Sequence, residues 1–210
     1  LRQWGEQKLL EGYGAPSTVQ HGAAPSGAYT FLARTNAGVI QKAINSPGKK
    51  LHFVGKGGLE NYRVERILDV HRLYAHSGGE IRDSEIRKLK SFDRVVAYAE
   101  QINDPELKAI IKLVQNEDLA LPQRLAELSL RSGPAEEAEL VLTTLHRSKG
   151  LEWDTVELGE CFDWDEFAKA RSAGKADEYR EELNLLYVGA TRARKELNIN
   201  TLAYHLNGLA

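Results

Sequence analysis

Apolar and polar positions along this chain follow two different periods. Short runs rich in Val, Leu, Thr and aromatic residues, such as AYTFLART, LHFVG and ELVLTTL, are typical of buried strands. In other stretches apolar residues recur every three or four positions, which is typical of amphipathic helices. Because strands alternate with helices, we predict an α/β fold with a mainly parallel sheet that is covered by helices on both faces.

The middle of the chain interrupts this alternation. From residue 59 to residue 135 the apolar spacing is helical throughout, and strand patterns return only at Leu140. We therefore predict a helix and linker over residues 1–28, a β/α layer over residues 29–58 and 136–210, and a helical insertion over residues 59–135. Within the first unit, LRQWGEQKLLEGYG predicts the helix, and APSTVQHGAAPSG predicts a linker or surface loop.

Composition limits the classes of protein to which the chain can belong. The net charge is −2, whereas a free-standing non-specific nucleic-acid binder is usually basic, so any DNA contact should be local and shared with another part. Cys161 is the single cysteine, which suits a reducing compartment and excludes a disulfide within the chain. No apolar run approaches the roughly 20 residues of a membrane span, so we expect no membrane contact. The chain begins with Leu1 and contains no methionine, so we expect it to be part of a longer protein.

The segment HRSKGLE, residues 146–152, places polar side chains directly after a predicted core strand. In open parallel sheets, ligands bind beyond the carboxyl ends of the strands. Gly150 allows the backbone to turn sharply or to approach a ligand closely. The sequence therefore predicts a binding loop at the carboxyl end of a rigid strand.

A second informative segment is EELNLLYVGATRARKELNI, residues 181–199. One face of the predicted helix is apolar and consists of Leu183, Leu186, Tyr187 and Ala190. Arg192, Arg194 and Lys195 follow at the helix end, where the helix dipole favours positive charge. An amphipathic helix with a basic end is common, and taken alone it indicates no particular function.

Together, the two segments resemble motifs of the UvrD/Rep-type superfamily 1 DNA helicases. TLHRSKGLEWDTV resembles their motif T-x-H-x-[AS]-K-G-L-E, and LLYVGATRA resembles their last motif, L-x-Y-V-x-x-T-R-A. FLARTNA resembles a third element, in which R-T-N-A or R-S-N-A follows a strand. The three occur in the family's order and cover residues 29–58 and 136–203. GLEWDTV and NLLYVGATRA look closest to the F-box DNA helicase branch, which carries Asn at the position of Asn184.

The resemblance implies a RecA-like parallel sheet flanked by helices, which is the P-loop NTPase fold, with a helical insertion that resembles a reduced 2B domain. The chain lacks the phosphate loop G-x-x-x-x-G-K-[ST] and the Asp-Glu pair of these enzymes. It therefore resembles only their second, C-terminal RecA-like domain. ATP with Mg²⁺ would be bound mainly by a first RecA-like domain, N-terminal in the same parent protein, and the chain alone would be inactive.

The resemblance also implies roles for individual residues at a nucleotide. Arg192 matches the arginine finger of the family, and Glu152 matches the residue that accepts a hydrogen bond from the ribose. Lys149 and Gly150 lie beside Glu152 in the same motif and are candidate nucleotide contacts. Read from the residues alone, Arg192 is more simply an exposed arginine at a helix end, Glu152 is a solvated loop carboxylate, and Lys149 is a cation that orders the loop or faces a phosphate.

Four further residues match positions that touch single-stranded DNA. Thr144 and His146 can each donate a hydrogen bond to a phosphate, and Arg34 and Asn36 belong to the second DNA-contacting element. Asn36 is also a suitable N-cap for the helix AGVIQKAI, which is compatible with DNA contact. His146 has an alternative interpretation as a structural histidine, and Trp153 and Trp164 are more readily explained by packing than by base stacking. We predict no metal site in the chain itself.

The resemblance thus implies the C-terminal motor domain of an ATP-dependent 3′-to-5′ DNA helicase, nuclear in a eukaryote or nucleoid-associated in a bacterium. Two alternatives stay open. The chain could be a non-catalytic helicase-like module that binds DNA or protein, or it could be the helicase part of a helicase–nuclease. A phosphate loop encoded upstream would favour the motor, and a nuclease motif downstream would favour the helicase–nuclease.

Overall fold

The computed structural model describes residues 17–20, 22, 24–77, 79–159 and 176–199. The helix predicted at the start of the chain, Cys161 and Trp164 lie outside the described residues.

One parallel sheet of six strands forms the centre of the described part of the chain. The strands are β1 (Thr18–Gln20), β2 (Tyr29–Ala33), β3 (Leu51–Phe53), β4 (Leu140–Thr144), β5 (Trp153–Leu158) and β6 (Ala193–Asn198). Their order across the sheet is β1-β6-β5-β2-β4-β3, and every neighbouring pair is parallel. The predicted α/β class is therefore confirmed.

Helices occupy most of the remaining described residues. They are α1 (Asn36–Ile44), α2 (Val64–Tyr74), α3 (Ser84–Leu89), α4 (Phe92–Gln101), α5 (Pro105–Glu117), α6 (Leu121–Arg131) and α7 (Ala176–Ala190). Short 3₁₀ helices span Gly58–Tyr62, Asp118–Ala120 and Ala135–Glu137. The stretch between β3 and β4 is thus helical, as its spacing predicts.

The sheet buries both of its faces, because successive side chains of a strand point to opposite sides. On one face, β2, β3 and β4 share a large core with α1 and the helices of the insertion, including Phe31, Phe53, Ile67, Ile110 and Leu125. On the other face, Leu32, Leu145, Val156 and Leu158 form a smaller core with Leu185 and Leu186 of α7. The insertion therefore packs into the same core as the sheet.

The prediction of a linker over residues 15–27 is wrong in one part, because β1 lies within it. Thr18–Gln20 pairs in parallel with β6 at the sheet edge, and the N–H of Ile199 donates to the carbonyl of Gln20 at 2.9 Å. The side chains of β1 are exposed, and Val19 is 63% exposed. The strand is held by backbone pairing, which leaves no apolar alternation in the sequence.

The predicted N-cap of α1 is also displaced by one residue. The cap is Thr35, which has extended backbone angles and accepts a hydrogen bond from the N–H of Gly38 at Oγ1, at 3.0 Å. Asn36 is the first residue of the helix. Thr35 takes the cap because it still continues the extended backbone of β2, as an N-cap residue requires.

A charged cluster fixes the turn between α2 and α3. The fully buried carboxylate of Asp69 accepts hydrogen bonds from the N–H groups of Arg82 and Asp83 at 2.9 and 2.7 Å. Arg66 donates to the carboxylates of Asp83 and Glu85 at 2.8 and 2.5 Å. Asp83 in turn caps α3 through the N–H groups of Glu85 and Ile86.

This cluster predicts acid sensitivity. Burial raises the pKa of the Asp83 carboxyl, but the N–H of Ile86 and the charge of Arg66 outweigh burial and hold that pKa below its ordinary value. The hydrogen bond from Arg66 lowers the pKa of Glu85. Because both folded-state pKa values are depressed, their stabilisation is complete above the ordinary values of 3.8 and 4.5 and is lost as the pH falls through the folded-state values.

We therefore expect the free energy of unfolding, measured by urea denaturation, to decline between about pH 5 and about pH 3. Arg66→Gln should make this decline shallower, because it removes the charge that depresses both pKa values. An unchanged slope in Arg66→Gln would show that other carboxylates cause the acid sensitivity.

Candidate functional site

The predicted site residues lie in two groups at opposite ends of the strands. We call the side on which the strands end the carboxyl edge, and the side on which they begin the amino edge. Because the strands are all parallel, they all end at one edge and all begin at the other. The carboxyl-edge cluster lies where β2 and β4 end and consists of Arg34, Asn36, Thr144 and His146. The amino-edge cluster lies directly before β5 and β6 and consists of Glu152 and Arg192.

The expectation that residues 146–152 form one loop at the carboxyl ends is therefore wrong. The segment leaves β4 at the carboxyl edge and must return to the amino edge, because β5 runs parallel to β4. Leu32 pairs with Thr143, near the end of β4, and with Leu158, the last residue of β5. The first residue of β5, Trp153, therefore lies far from the carboxyl edge, on the amino side of the sheet. Residues 145–152 connect the two edges.

Buried groups hold this connection in a turn. The N–H of Ser148 donates to the carbonyl of Thr144 at 2.9 Å, and its hydroxyl donates to the carbonyl of Leu145 at 2.7 Å. Leu145 and Ser148 are fully buried, whereas Lys149 and Gly150 are exposed. Gly150 has φ = 83°, a left-handed conformation that favours glycine. The connection is thus anchored on one side and presents polar groups on the other.

At the carboxyl edge, Thr144 and His146 differ in exposure. Thr144 is buried, and its Oγ1 accepts from the N–H of Arg147 at 3.4 Å, whereas the side chain of His146 is exposed. Arg147 donates to the carbonyl of Asn61 at 2.6 Å, and its guanidinium carbon lies 4.7 Å from the ring centre of Tyr62. Arg147, which sequence reasoning did not single out, therefore ties the connection to the beginning of the insertion.

Asn36 has a partner that lies 70 residues away in the sequence. The carboxylate of Glu106, in the first turn of α5, accepts from the backbone N–H of Asn36 at 2.9 Å and from its side-chain Nδ2 at 3.3 Å. Its other oxygen accepts from the N–H of Ala37 at 3.2 Å. Sequence reasoning missed Glu106, because nothing local marks a carboxylate that caps a distant helix.

At the amino edge, the guanidinium of Arg192 donates three hydrogen bonds. The acceptors are the carbonyl of Val188 at 2.9 Å, the carbonyl of Leu151 at 3.0 Å and Oγ1 of Thr191 at 3.0 Å. The side chain folds over the end of α7. The last carbonyls of a helix lack intrahelical donors, and an arginine side chain is well suited to donate hydrogen bonds to them. Glu152, which follows Leu151 in the chain, is exposed, and Lys149 lies in the connection between β4 and β5.

Comparison with known proteins identifies the family. A family model described as the UvrD-like helicase C-terminal domain matches residues 34–204. The chain belongs to the UvrD-like helicase C-terminal domain family. Its six-stranded parallel sheet with helices on both faces is consistent with the RecA-like α/β fold that the motifs imply.

Several curated relatives of this UvrD-like domain are DNA helicases. F-box DNA helicase 1 of Gallus gallus is 28% identical over 208 residues, which cover 88% of this chain and 20% of the relative. F-box DNA helicase protein 1 of Schizosaccharomyces pombe is 46% identical over 63 residues, 29% of this chain and 7% of the relative. ATP-dependent DNA helicase UvrD2 of Mycobacterium tuberculosis is 36% identical over 119 residues, 54% of this chain and 16% of the relative. The chain spans a fifth or less of the length of these relatives.

In this UvrD-like domain, α7 lies against the sheet through Gly189 rather than through Tyr187. Leu183 is buried as predicted, but Tyr187 is 36% exposed and does not anchor the helix. The helix instead approaches the sheet through Gly189, where an added Cβ would lie 2.5 Å from Leu145 and 2.9 Å from Leu158. A glycine gives no signal in an apolar pattern, so the sequence offered no sign of this contact.

The other basic residues after α7 have their own partner. Asp154 pairs with Arg194 at 2.6 Å and with Lys195 at 2.5 Å. The hydrogen bond from Lys195 holds the pKa of the Asp154 carboxyl below its ordinary value, with Arg194 adding to the effect. Arg194 and Lys195 are therefore held by a carboxylate, whereas Arg192 is held by backbone carbonyls at the amino edge.

Two kinds of feature are absent from the part of the chain that the structure describes. No described helix is long and apolar enough to cross a membrane. Within the same residues, no group of three or more His, Cys, Asp or Glu side chains is arranged to hold a metal ion.

Proposed function

We propose that this chain is the second motor domain of an ATP-dependent 3′-to-5′ DNA helicase. In this proposal the amino-edge cluster, with Lys149 and Gly150, faces a nucleotide, and the carboxyl-edge cluster contacts single-stranded DNA. A first RecA-like domain of the same parent protein would hold ATP with Mg²⁺. The family and the named relatives support helicase function, and the finer roles rest on the motif positions and on the separation of the two clusters.

The separation of the two clusters carries the proposal. A motor must convert a change at the nucleotide into a change at DNA. Here residues 145–152 run between the two edges, and each end is held by hydrogen bonds: Leu145 N–H to the Ala33 carbonyl at 2.8 Å, and Arg192 to the Leu151 carbonyl at 3.0 Å. The carbonyl of Arg192 also accepts from the N–H of Trp153 at 2.9 Å. A shift of Arg192 would therefore pull on a segment that reaches His146.

Arg192 is suited to the proposed role by its chemistry. A planar guanidinium can donate two parallel hydrogen bonds to phosphate oxygens, and such a group stabilises the charge that develops during phosphoryl transfer. Its contacts with Leu151 and Thr191 hold the group at the amino edge, from which rotation of the side chain would present it to the other domain. Glu152, exposed at the same edge, can accept a hydrogen bond from a ribose hydroxyl.

One observation favours a non-catalytic binding module instead. The Arg192 guanidinium already has three acceptors within its own chain, which would suffice for a purely structural role. The two proposals differ in the effect that the loss of Arg192 would have on ATP turnover.

A substitution at the carboxyl edge tests the DNA half of the proposal. In the intact protein, His146→Ala should weaken single-stranded DNA binding by about fivefold, the effect of roughly one lost hydrogen bond. ATP affinity should stay unchanged, because His146 lies at the opposite edge from the amino-edge cluster. Fluorescence anisotropy with a labelled oligonucleotide measures the affinity.

His76→Ala is the matched control, because His76 is also exposed but follows α2 in the insertion. It should leave DNA affinity unchanged. Equal affinities for His146→Ala and the unaltered protein would remove His146 from the DNA surface.

A further inference from the structure

The amino terminus of α1 is closed by a carboxylate from the insertion. The first N–H groups of a helix lack intrahelical partners and commonly bind anions such as phosphate. Here Glu106 accepts from the N–H groups of Asn36 and Ala37, and Thr35 Oγ1 accepts from that of Gly38. The next N–H, of Val39, donates to the carbonyl of Thr35 at 3.2 Å. The protein therefore fills this anion site with its own side chain.

Glu106 also sets the orientation of the Asn36 amide. A carboxylate only accepts hydrogen bonds, so Nδ2 must face Glu106, and the reversed amide would place oxygen against oxygen. The other amide atom, Oδ1, is buried and has no hydrogen-bond partner among the described residues. Within the described structure, the orientation of the amide thus depends on Glu106.

The helix that carries Glu106, α5, is capped at its amino end and packed into the core. Asp104 caps α5 by accepting from the N–H groups of Glu106 and Leu107 at 2.8 and 3.1 Å, and Pro105 occupies the first turn. Leu107 and Ile110 of the same helix are fully buried in the large core. Because α5 is anchored in this way, Glu106 holds a fixed position relative to α1.

We propose that Glu106 is a positioning residue for Asn36: it accepts one proton of Nδ2 and leaves the second as the donor to DNA, so that the helical insertion orders part of the DNA surface of the sheet. The proposal rests on the proposed function, in which Asn36 touches single-stranded DNA. It assigns a role to a residue that lies outside the three motifs and on a different helix.

The sign of the effect separates positioning from simple electrostatics. A negative charge beside a phosphate-binding surface repels DNA, so its removal should strengthen binding if charge alone matters. If Glu106 positions Asn36, its removal should weaken binding although the surface becomes less negative. A general loss of stability cannot produce the same result in a folded, saturable protein.

The test uses the intact protein and a labelled single-stranded oligonucleotide. Glu106→Ala should weaken binding by about fivefold, which corresponds to roughly 1 kcal/mol. Glu106→Gln, which keeps one acceptor oxygen and the shape of the side chain, should weaken binding less and serves if the Ala variant does not fold. In an Asn36→Ala background, Glu106→Ala should have no further effect on affinity.

Glu117→Ala is the matched control, because Glu117 joins the same two helices by accepting from Gln41 at 2.8 Å near the opposite end of α1. It should leave DNA affinity unchanged. Binding by Glu106→Ala that is as tight as, or tighter than, that of the unaltered protein would overturn the proposal. If Asn36→Ala also binds normally, the DNA role of Asn36 in the proposed function fails as well; if Asn36→Ala binds weakly, only the role of Glu106 fails.

Discussion

Arg192→Ala is expected to lower DNA-stimulated ATP hydrolysis by the intact protein by about three to five orders of magnitude. The lost donor would act mainly in the transition state, so the turnover rate should collapse while ATP affinity falls only modestly. Arg192→Lys should restore little, because an ammonium cannot reproduce the planar fork of the guanidinium. Steady-state turnover with saturating single-stranded DNA, together with ATP binding measured separately, distinguishes the two effects.

The structure also predicts a small cost in stability for this substitution. Because Arg192 donates to Val188, Leu151 and Thr191, its loss should lower the free energy of unfolding by about 1 kcal/mol. The loss stays small because the half-buried carbonyls that lose their donor can accept hydrogen bonds from water. Thermal unfolding of the variant should therefore show a folded protein with a slightly lower midpoint.

Arg194→Ala is the matched control for the activity. It removes the same charge two residues away, but Arg194 pairs with Asp154 and is more than half exposed, at 57% of its side chain. Near-normal turnover is expected. If Arg192→Ala kept near-normal turnover, Arg192 would not be the finger, and the non-catalytic interpretation of the amino edge would be favoured.

Lys42→Met is expected to destabilise the domain by about 3 kcal/mol or more. Lys42, on α1, binds both carboxylate oxygens of Glu157 at 2.7 and 2.9 Å, and the Glu157 side chain is only 2% exposed. Removing the lysine takes away a positive charge that offsets the burial of this carboxylate. Urea denaturation of the chain at neutral pH measures the loss.

Neutralising the other partner of this ion pair, Glu157, should destabilise the domain less. In Glu157→Gln the Lys42 side chain, which is 19% exposed, can extend towards solvent and still contact the rings of Phe31 and Tyr29, whose centres lie 4.9 and 5.5 Å from its nitrogen. In the double variant Lys42→Met/Glu157→Leu, apolar packing should recover much of the stability lost in Lys42→Met. Equal losses in all three variants would show that the pair contributes only volume.

Much of the fold follows from patterns that are local in the sequence. The runs AYTFLART and ELVLTTL, rich in aromatic, Val, Leu and Thr residues, are properties of a few successive residues, and they correctly predicted β2 and β4. The helical spacing between β3 and β4 likewise predicted α2 and α5. The motifs around His146 and Arg192 are contiguous too, which is why they indicate the helicase family by themselves.

What the sequence by itself determined was therefore the class of fold, the helical insertion and the family, because each depends on residues that are neighbours in the chain. The tertiary structure decided which edge each site residue occupies, since that depends on the parallel pairing of β2 with both β4 and β5. It also decided that β1 pairs with β6 at the side of the sheet, and that Glu106 caps the amino end of α1 from 70 residues away. Hydrogen bonds between distant segments leave no periodic pattern in a sequence. Each needs only a donor and an acceptor that the fold brings together, whatever the residues on either side of them are.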